Sequence, residues 1–184
     1  MLEDLSQHVL DIAENSLNAG ADRIEITILQ DSRANRLVLE VADNGHGMDA
    51  ETAVKVLDPF YTTRTTRRVG LGLPFLKQSA ELCGGSLSLQ SVPGKGTRLR
   101  ADFALDCIDR PPLGNIPSTI VTLLAGAPGV RWIYRHVCDG RIFEFDSKEI
   151  LEILGDSKLF QSAEVALWLR DYLRENIETA EKGH

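Results

Sequence analysis

Asp11 and Asn15 stand four residues apart in the stretch LSQHVLDIAENSL, a spacing that puts both on one face of a helix. A carboxylate in that position can orient or deprotonate a water. The amide oxygen of Asn can ligate Mg²⁺, which takes oxygen ligands and keeps several waters. Polar pairs at this spacing also occupy ordinary solvated helix faces, and Glu14 sits at an intermediate angle. Further along, Asp43-Asn44-Gly45-His46-Gly47-Met48 follows directly on an alternating apolar stretch. A carboxylate at a strand end can accept a hydrogen bond from an exocyclic amine such as that of adenine. Gly45 and Gly47 allow a flat ligand to approach the backbone closely. Asn-Gly is equally a turn signal. His46 has no second ligand spaced near it and reads as part of that turn.

Two more stretches carry chemistry. Asp58 to Leu73, DPFYTTRTTRRVGLGL, holds Arg64, Arg67 and Arg68, four threonines, then Gly70, Leu71 and Gly72, all directly ahead of an apolar helical pattern. The free N–H groups at a helix N-terminus attract phosphate, and arginine and hydroxyl side chains add contacts to phosphate oxygens. Long loops in compact domains are often lids. Pro93-Gly94-Lys95-Gly96-Thr97 is by itself a hairpin turn. It is not a Walker A loop, which needs G-x-x-x-x-G-K-[ST].

The elements that must position these residues follow from periodicity. Leu2, Leu5, Val9, Ile12, Ala13, Ser16 and Leu17 fall on one helical face, and Gly20 stops the helix. Arg23–Gln30 and Arg36–Ala42 alternate around a polar turn and predict a β-hairpin. A short helix is expected from Asp49 to Leu57 and another from Leu71 to Leu82. Ser86–Val92 and Thr97–Leu105 make a second strand pair. The order is α-β-β-α-loop-α-β-β, an α+β arrangement with helices on one face of a sheet. Asp106–Asn115, with two prolines and a glycine, reads as a seam. Domain boundaries are therefore expected at 1–106, a linker at 107–115, and an extension at 116–184. The extension reads as a helix over Ile116–Ala125, a hairpin around Asp139-Gly140, a helix after Asp146, and a last helix over Ser162–Ala180. Trp132 and Tyr134 are expected in a core, and Arg131 and Arg135 on the solvated face.

Composition excludes several classes. The 184 residues carry a net charge of −7, which argues against general binding to nucleic acid or an anionic membrane. No apolar run is long enough to span a bilayer. The acidic, amphipathic start is not a signal peptide. Cys83, Cys107 and Cys138 are an odd number with long gaps and no C-x-x-C, which points to reduced thiols and a cytoplasmic location.

The order of the motifs is more specific than any one of them. An acidic-and-Asn helix, D-x-G-x-G after a strand, a glycine-ended loop and G-K-G-T resemble the GHKL ATPase superfamily. That ATP-binding fold is shared by histidine kinases, type II topoisomerases, mismatch-repair ATPases and heat-shock chaperones. The resemblance covers about residues 1–105. ENSLNAGA resembles the mismatch-repair form of the Asn box, while DPFYTTR…GLGL and GKGT are similar to a histidine-kinase catalytic domain. The resemblance implies the Bergerat ATP-binding fold, a two-layer α/β sandwich, with ATP and Mg²⁺ as cofactors. It implies that Asn15 holds Mg²⁺ and that Asp11 stands where the family places its general-base carboxylate, normally Glu. Asp43 would bind the adenine amino group with Thr97 supporting it through water, and Gly45, Gly47 and Met48 would shape the adenine pocket. Phe60 would sit at the lid hinge, and Gly70, Leu71 and Gly72 would meet the phosphates. A sensor histidine kinase also carries a helix pair with a phosphoacceptor histidine, which is not expected ahead of this helix. His8 is read as a helix-surface or supporting residue, not a phosphoacceptor.

The expected function is a cytoplasmic Mg-ATP-binding protein that hydrolyses ATP or uses it as a switch toward a protein partner, met through the lid or the C-terminal extension. Two alternatives stand beside it. One is a kinase acting in trans on a partner protein. The other is a regulatory module that binds nucleotide without turnover.

Overall fold

The computed structural model describes residues 4–60 and 72–183. Helix α1 (Leu5–Asn18) starts at Asp4, whose carboxylate accepts from the Gln7 N–H at 3.0 Å and so caps one of the donors that a helix start leaves open. Leu5, Val9, Ile12 and Ala13 recur at helical spacing and are buried. Strands β1 (Arg23–Asp31) and β2 (Arg36–Asp43) pair antiparallel in a register from Ile24–Asp43 to Asp31–Arg36. Ile24, Ile26 and Ile28 point inward, as their alternation requires. Helix α2 (Ala50–Lys55) is capped by Asp49 through the Thr52 N–H. Helix α3 (Gly72–Leu82) leads into β3 (Ser86–Val92) and β4 (Gly96–Ala104), and β4 pairs antiparallel with both β3 and β2.

The remaining elements are α4 (Ile116–Gly126), β5 (Arg131–Cys138), β6 (Arg141–Asp146), α5 (Ser147–Leu154), a 3₁₀ turn (Ser157–Gln161) and α6 (Ala163–Lys182). Asp139 and Gly140 both take positive φ, the conformation of the two-residue turn expected there. Strand β5 runs parallel to β1, with Trp132 beside Ile24. The hairpin after the seam therefore extends the first sheet, giving one six-stranded sheet in the order β3-β4-β2-β1-β5-β6. The fold is α+β, and a single apolar core joins α1, α3, α4 and α6 to the sheet. Trp132 and Tyr134 are buried in it. Arg131 and Arg135 lie on the outer face and pair with Asp146 and Glu144.

One expectation fails, and another is narrowed to one of its two readings. Spacing points to three reduced thiols, but Cys83 and Cys107 form a disulfide with Cα atoms 5.5 Å apart, leaving Cys138 as a buried free thiol. The physical reason is that the end of β4 lies against the end of α3: the Ala104 N–H donates to the Cys83 carbonyl at 3.0 Å. His8 is not on the helix surface. It is 2% exposed, and burial lowers its imidazole pKa, with Asp4 pulling the other way.

Candidate functional site

A cavity of about 540 Å³ opens between α1, the end of β2 and the β3–β4 hairpin. That volume lies in the range of small-ligand sites. Its walls are mostly apolar, with Ile12, Val41, Leu73, Leu89 and Leu99 among them, and its polar groups converge from α1 and the strand ends.

Asp43, the last residue of β2, is held from three sides. Its Oδ2 accepts from the Ser16 hydroxyl at 2.6 Å. Its Oδ1 accepts from the Gly45 N–H at 2.9 Å and the Thr97 N–H at 3.3 Å. The register of β2 and β4 sets Thr97 directly opposite Asp43. An ionised carboxylate offers about four lone-pair sites. The protein fills three, and Asp43 lines the cavity.

The loop after Asp43 is pinned at both ends. Asn44 accepts from the backbone N–H groups of Asp22 and Arg23 at 3.1 and 3.0 Å and donates to the Asp22 carboxylate at 2.6 Å. The His46 N–H donates to the Ala19 carbonyl at 2.8 Å, and the His46 carbonyl accepts from Gly94 N–H at 2.7 Å. A Cβ on Gly45 would lie 2.8 Å from the Ala19 carbonyl oxygen. At Gly47, where φ is +67°, it would lie 2.1 Å from that of Val92. These glycines are thus required by backbone packing against α1 and β3, whatever a ligand needs. Ser91 completes the frame: its hydroxyl accepts from the Met48 N–H at 2.7 Å and lies 2.8 Å from the Thr97 hydroxyl.

Asp11, Asn15, Asp43, Gly47, Met48 and Thr97 line this one cavity. Gly45 is buried beside it. Gly72 opens α3, and its neighbour Leu73 reaches the wall. Phe60 is 93% exposed and outside the lining, its N–H held by the Asp58 carboxylate at 2.9 Å. Gly70, Leu71 and the arginines Arg64, Arg67 and Arg68 lie outside the described residues. Sequence reasoning missed Ser16 and Ser91. The available signals were a hydroxyl on an otherwise apolar helix face, and a serine continuing the inward alternation of Leu87 and Leu89.

The donor chemistry bears on a metal. Among the described residues, no three His, Cys, Asp or Glu side chains converge on one point. A Mg²⁺ ion at Asn15 would then draw most of its ligands from phosphate and water, which suits an ion that dehydrates reluctantly.

The model of the family described as Histidine kinase-, DNA gyrase B-, and HSP90-like ATPase matches residues 2–106, more than half of the chain. The chain belongs to this family. Its relatives include the Sensor protein kinase FleS of Pseudomonas aeruginosa, 40% identical over 108 residues, covering 59% of this chain and 26% of that protein. A Putative sensor protein of Shewanella frigidimarina is 34% identical over 105 residues, covering 56% of this chain and 16% of that protein. This histidine kinase-like ATPase domain thus spans about a quarter or less of those relatives. Among solved structures, the N terminal domain of a DNA repair protein superposes with a TM-score of 0.50 at 16% identity, covering 79% of this chain and 52% of that chain. At that identity the likeness concerns the fold alone.

Proposed function

We propose that this chain binds Mg-ATP in the cavity over Asp43 and couples its binding or hydrolysis to a protein partner. The observation that carries the reading is a carboxylate fixed by three donors at the wall of a mainly apolar cavity, with acceptor capacity to spare. An exocyclic amine fits that site, and a carbonyl oxygen is repelled by it. Val41, Leu99 and Leu89, side by side across β2, β4 and β3, would form one apolar wall for the base, with Thr97 beside Asp43 for its polar edge. Asn15 supplies an oxygen to Mg²⁺, which when bound neutralises phosphate charge. Asp11, one turn earlier on α1, orients the attacking water. The family membership and the sensor-kinase relatives support nucleotide use. ATP supply fits a cytoplasmic location, and among the described residues no helix is long and apolar enough to cross a membrane.

The similarity to FleS favours a second reading, transfer of the γ-phosphoryl group to a side chain of a partner protein. Incubation with γ-labelled ATP separates the two. Released phosphate that is lost in Asp11→Asn supports hydrolysis. Label appearing on an added partner and not as free phosphate supports transfer. Absence of both, with ATP bound, leaves a nucleotide-binding switch.

A further inference from the structure

The Cys83–Cys107 disulfide sits where it can reach the nucleotide cavity through covalent and hydrogen-bonded structure alone. Cys83 follows directly on the last residue of α3, and Cys107 begins the segment 107–115 that leads away from β4. The bond clasps that segment to the tail of α3. Arg110 braces it by donating to the Leu105 and Pro111 carbonyls at 3.2 and 3.1 Å. At its far end, the Pro112 and Leu113 carbonyls accept from the Leu5 and Ser6 N–H groups at 2.8 and 2.9 Å. Those are first-turn donors of α1, which have no partner within the helix. The segment is therefore a strap from the tail of α3 to the head of α1. These two helices line the cavity, α1 through Asp11, Asn15 and Ser16 and α3 through Leu73.

We infer that Cys83–Cys107 is a thiol–disulfide switch that sets the affinity of the cavity for nucleotide, an inference that rests on the nucleotide reading above. Access is built for exchange. Cys83 is 3% exposed, but Cys107 is only half-buried; Leu82, beside Cys83, and Ile108, beside Cys107, stand 71% and 97% exposed. Disulfides that reach the surface are the ones that exchange and regulate. A thiolate of a dithiol reductant attacks Cys107 Sγ, forms a mixed disulfide there and expels the Cys83 thiolate. The second thiol of the reductant attacks its own sulfur in that mixed disulfide and releases the Cys107 thiolate. Two electrons and two protons pass to the protein as two thiols, and the reductant leaves as a disulfide. With the bond closed, the strap is fixed at both ends and α1 and α3 are held in register. With it open, the covalent tie to α3 is lost and the segment is held only by hydrogen bonds and packing.

The test compares Mg-ATP affinity of the oxidised and reduced full chain, with the bond followed by thiol labelling and peptide mapping. The oxidised form binds at least about fivefold more tightly, in the usual range for coupled sites. Linkage is reciprocal, so saturating Mg-ATP makes the bond harder to reduce by the same factor, about 20 mV for a two-electron couple. The Cys83→Ser/Cys107→Ser double variant binds as the reduced wild type does and ignores reductant, while Cys138→Ser keeps the full response. The reduced wild type carries the test by itself if the double variant does not fold. Equal affinities in the two redox states, no bond after oxidation, or a response abolished by Cys138→Ser overturns the inference. Absence of nucleotide binding in both states instead sinks the nucleotide reading, and the coupling with it.

Discussion

Asp43→Asn tests the site more sharply than a truncation, because the frame around Asp43 fixes how the amide sits. Two backbone donors, Gly45 and Thr97, face Oδ1, so the amide must keep its oxygen there. Its NH₂ then takes the Oδ2 position, where the Ser16 hydroxyl can rotate to accept from it. The second amide hydrogen turns toward the cavity. For an adenine base this removes a hydrogen bond to a charged group, worth about 1.5–3 kcal/mol, and sets a donor against a donor, costing about 1–3 kcal/mol more. ATP affinity is expected to fall by about 3–5 kcal/mol, or roughly two to nearly four powers of ten. Inosine triphosphate carries a carbonyl where adenine carries its amine. It binds poorly to the wild type and gains a donor in the variant, so the ATP-over-ITP preference inverts. Competition binding of both nucleotides to both proteins, beside a melting curve that shows the variant folded, measures this. A parallel loss of ATP and ITP, or an unchanged ATP affinity, refutes the assignment of Asp43 to the base.

Other consequences follow from the same geometry. Ser16→Ala removes a buried hydroxyl that donates to Asp43 at 2.6 Å, and is expected to cost about 1–2 kcal/mol in a urea titration and to weaken ATP binding; unchanged values in both would show that the contact does not orient Asp43. Gly47→Ala places a Cβ 2.1 Å from the Val92 carbonyl oxygen and should lose more than about 3 kcal/mol, whereas Gly84→Ala, at the same φ but in open space, should lose only about 1–2 kcal/mol. Equal midpoint shifts at constant m would contradict that account. Glu181 on α6 is held below the usual carboxyl range chiefly by its contact with His136. Its folded-state pKa is depressed, so the unfolded chain binds more protons. Its contribution is present above the unfolded value and is lost in the acid window where pH falls through the folded one. Glu181→Gln should flatten the stability slope in that window, and an unaltered slope would remove the argument.

Local patterning made much of the fold legible and left its assembly open. Alternating Ile24, Ile26 and Ile28, the Asp139-Gly140 turn and the Asp146 helix start all formed as their residue types require. The parallel pairing of β5 with β1 joins residues more than a hundred positions apart, and nothing in either strand names the other as partner. The disulfide has the same cause: Cys83 and Cys107 meet only because β4 returns along α3. At the site, Asp43, Asn15 and the glycines carried recognisable spacing. Ser16 did not, since one serine in an apolar helical stripe looks like a tolerated small residue until Asp43 is placed beneath it. His8 stands three after Leu5 and four before Ile12, so the periodicity of α1 did place it on the buried stripe; its residue type, which suits either face, hid that.

The central claim is that the cavity over Asp43 holds an adenine nucleotide. Calorimetric titration of the purified chain with ATP and with GTP, both in Mg²⁺, tests it most directly. The account predicts one ATP bound per chain and GTP weaker by at least about a hundredfold, because the guanine carbonyl would face the Asp43 carboxylate. No heat of binding with ATP, or equal affinity for the two nucleotides, would contradict it.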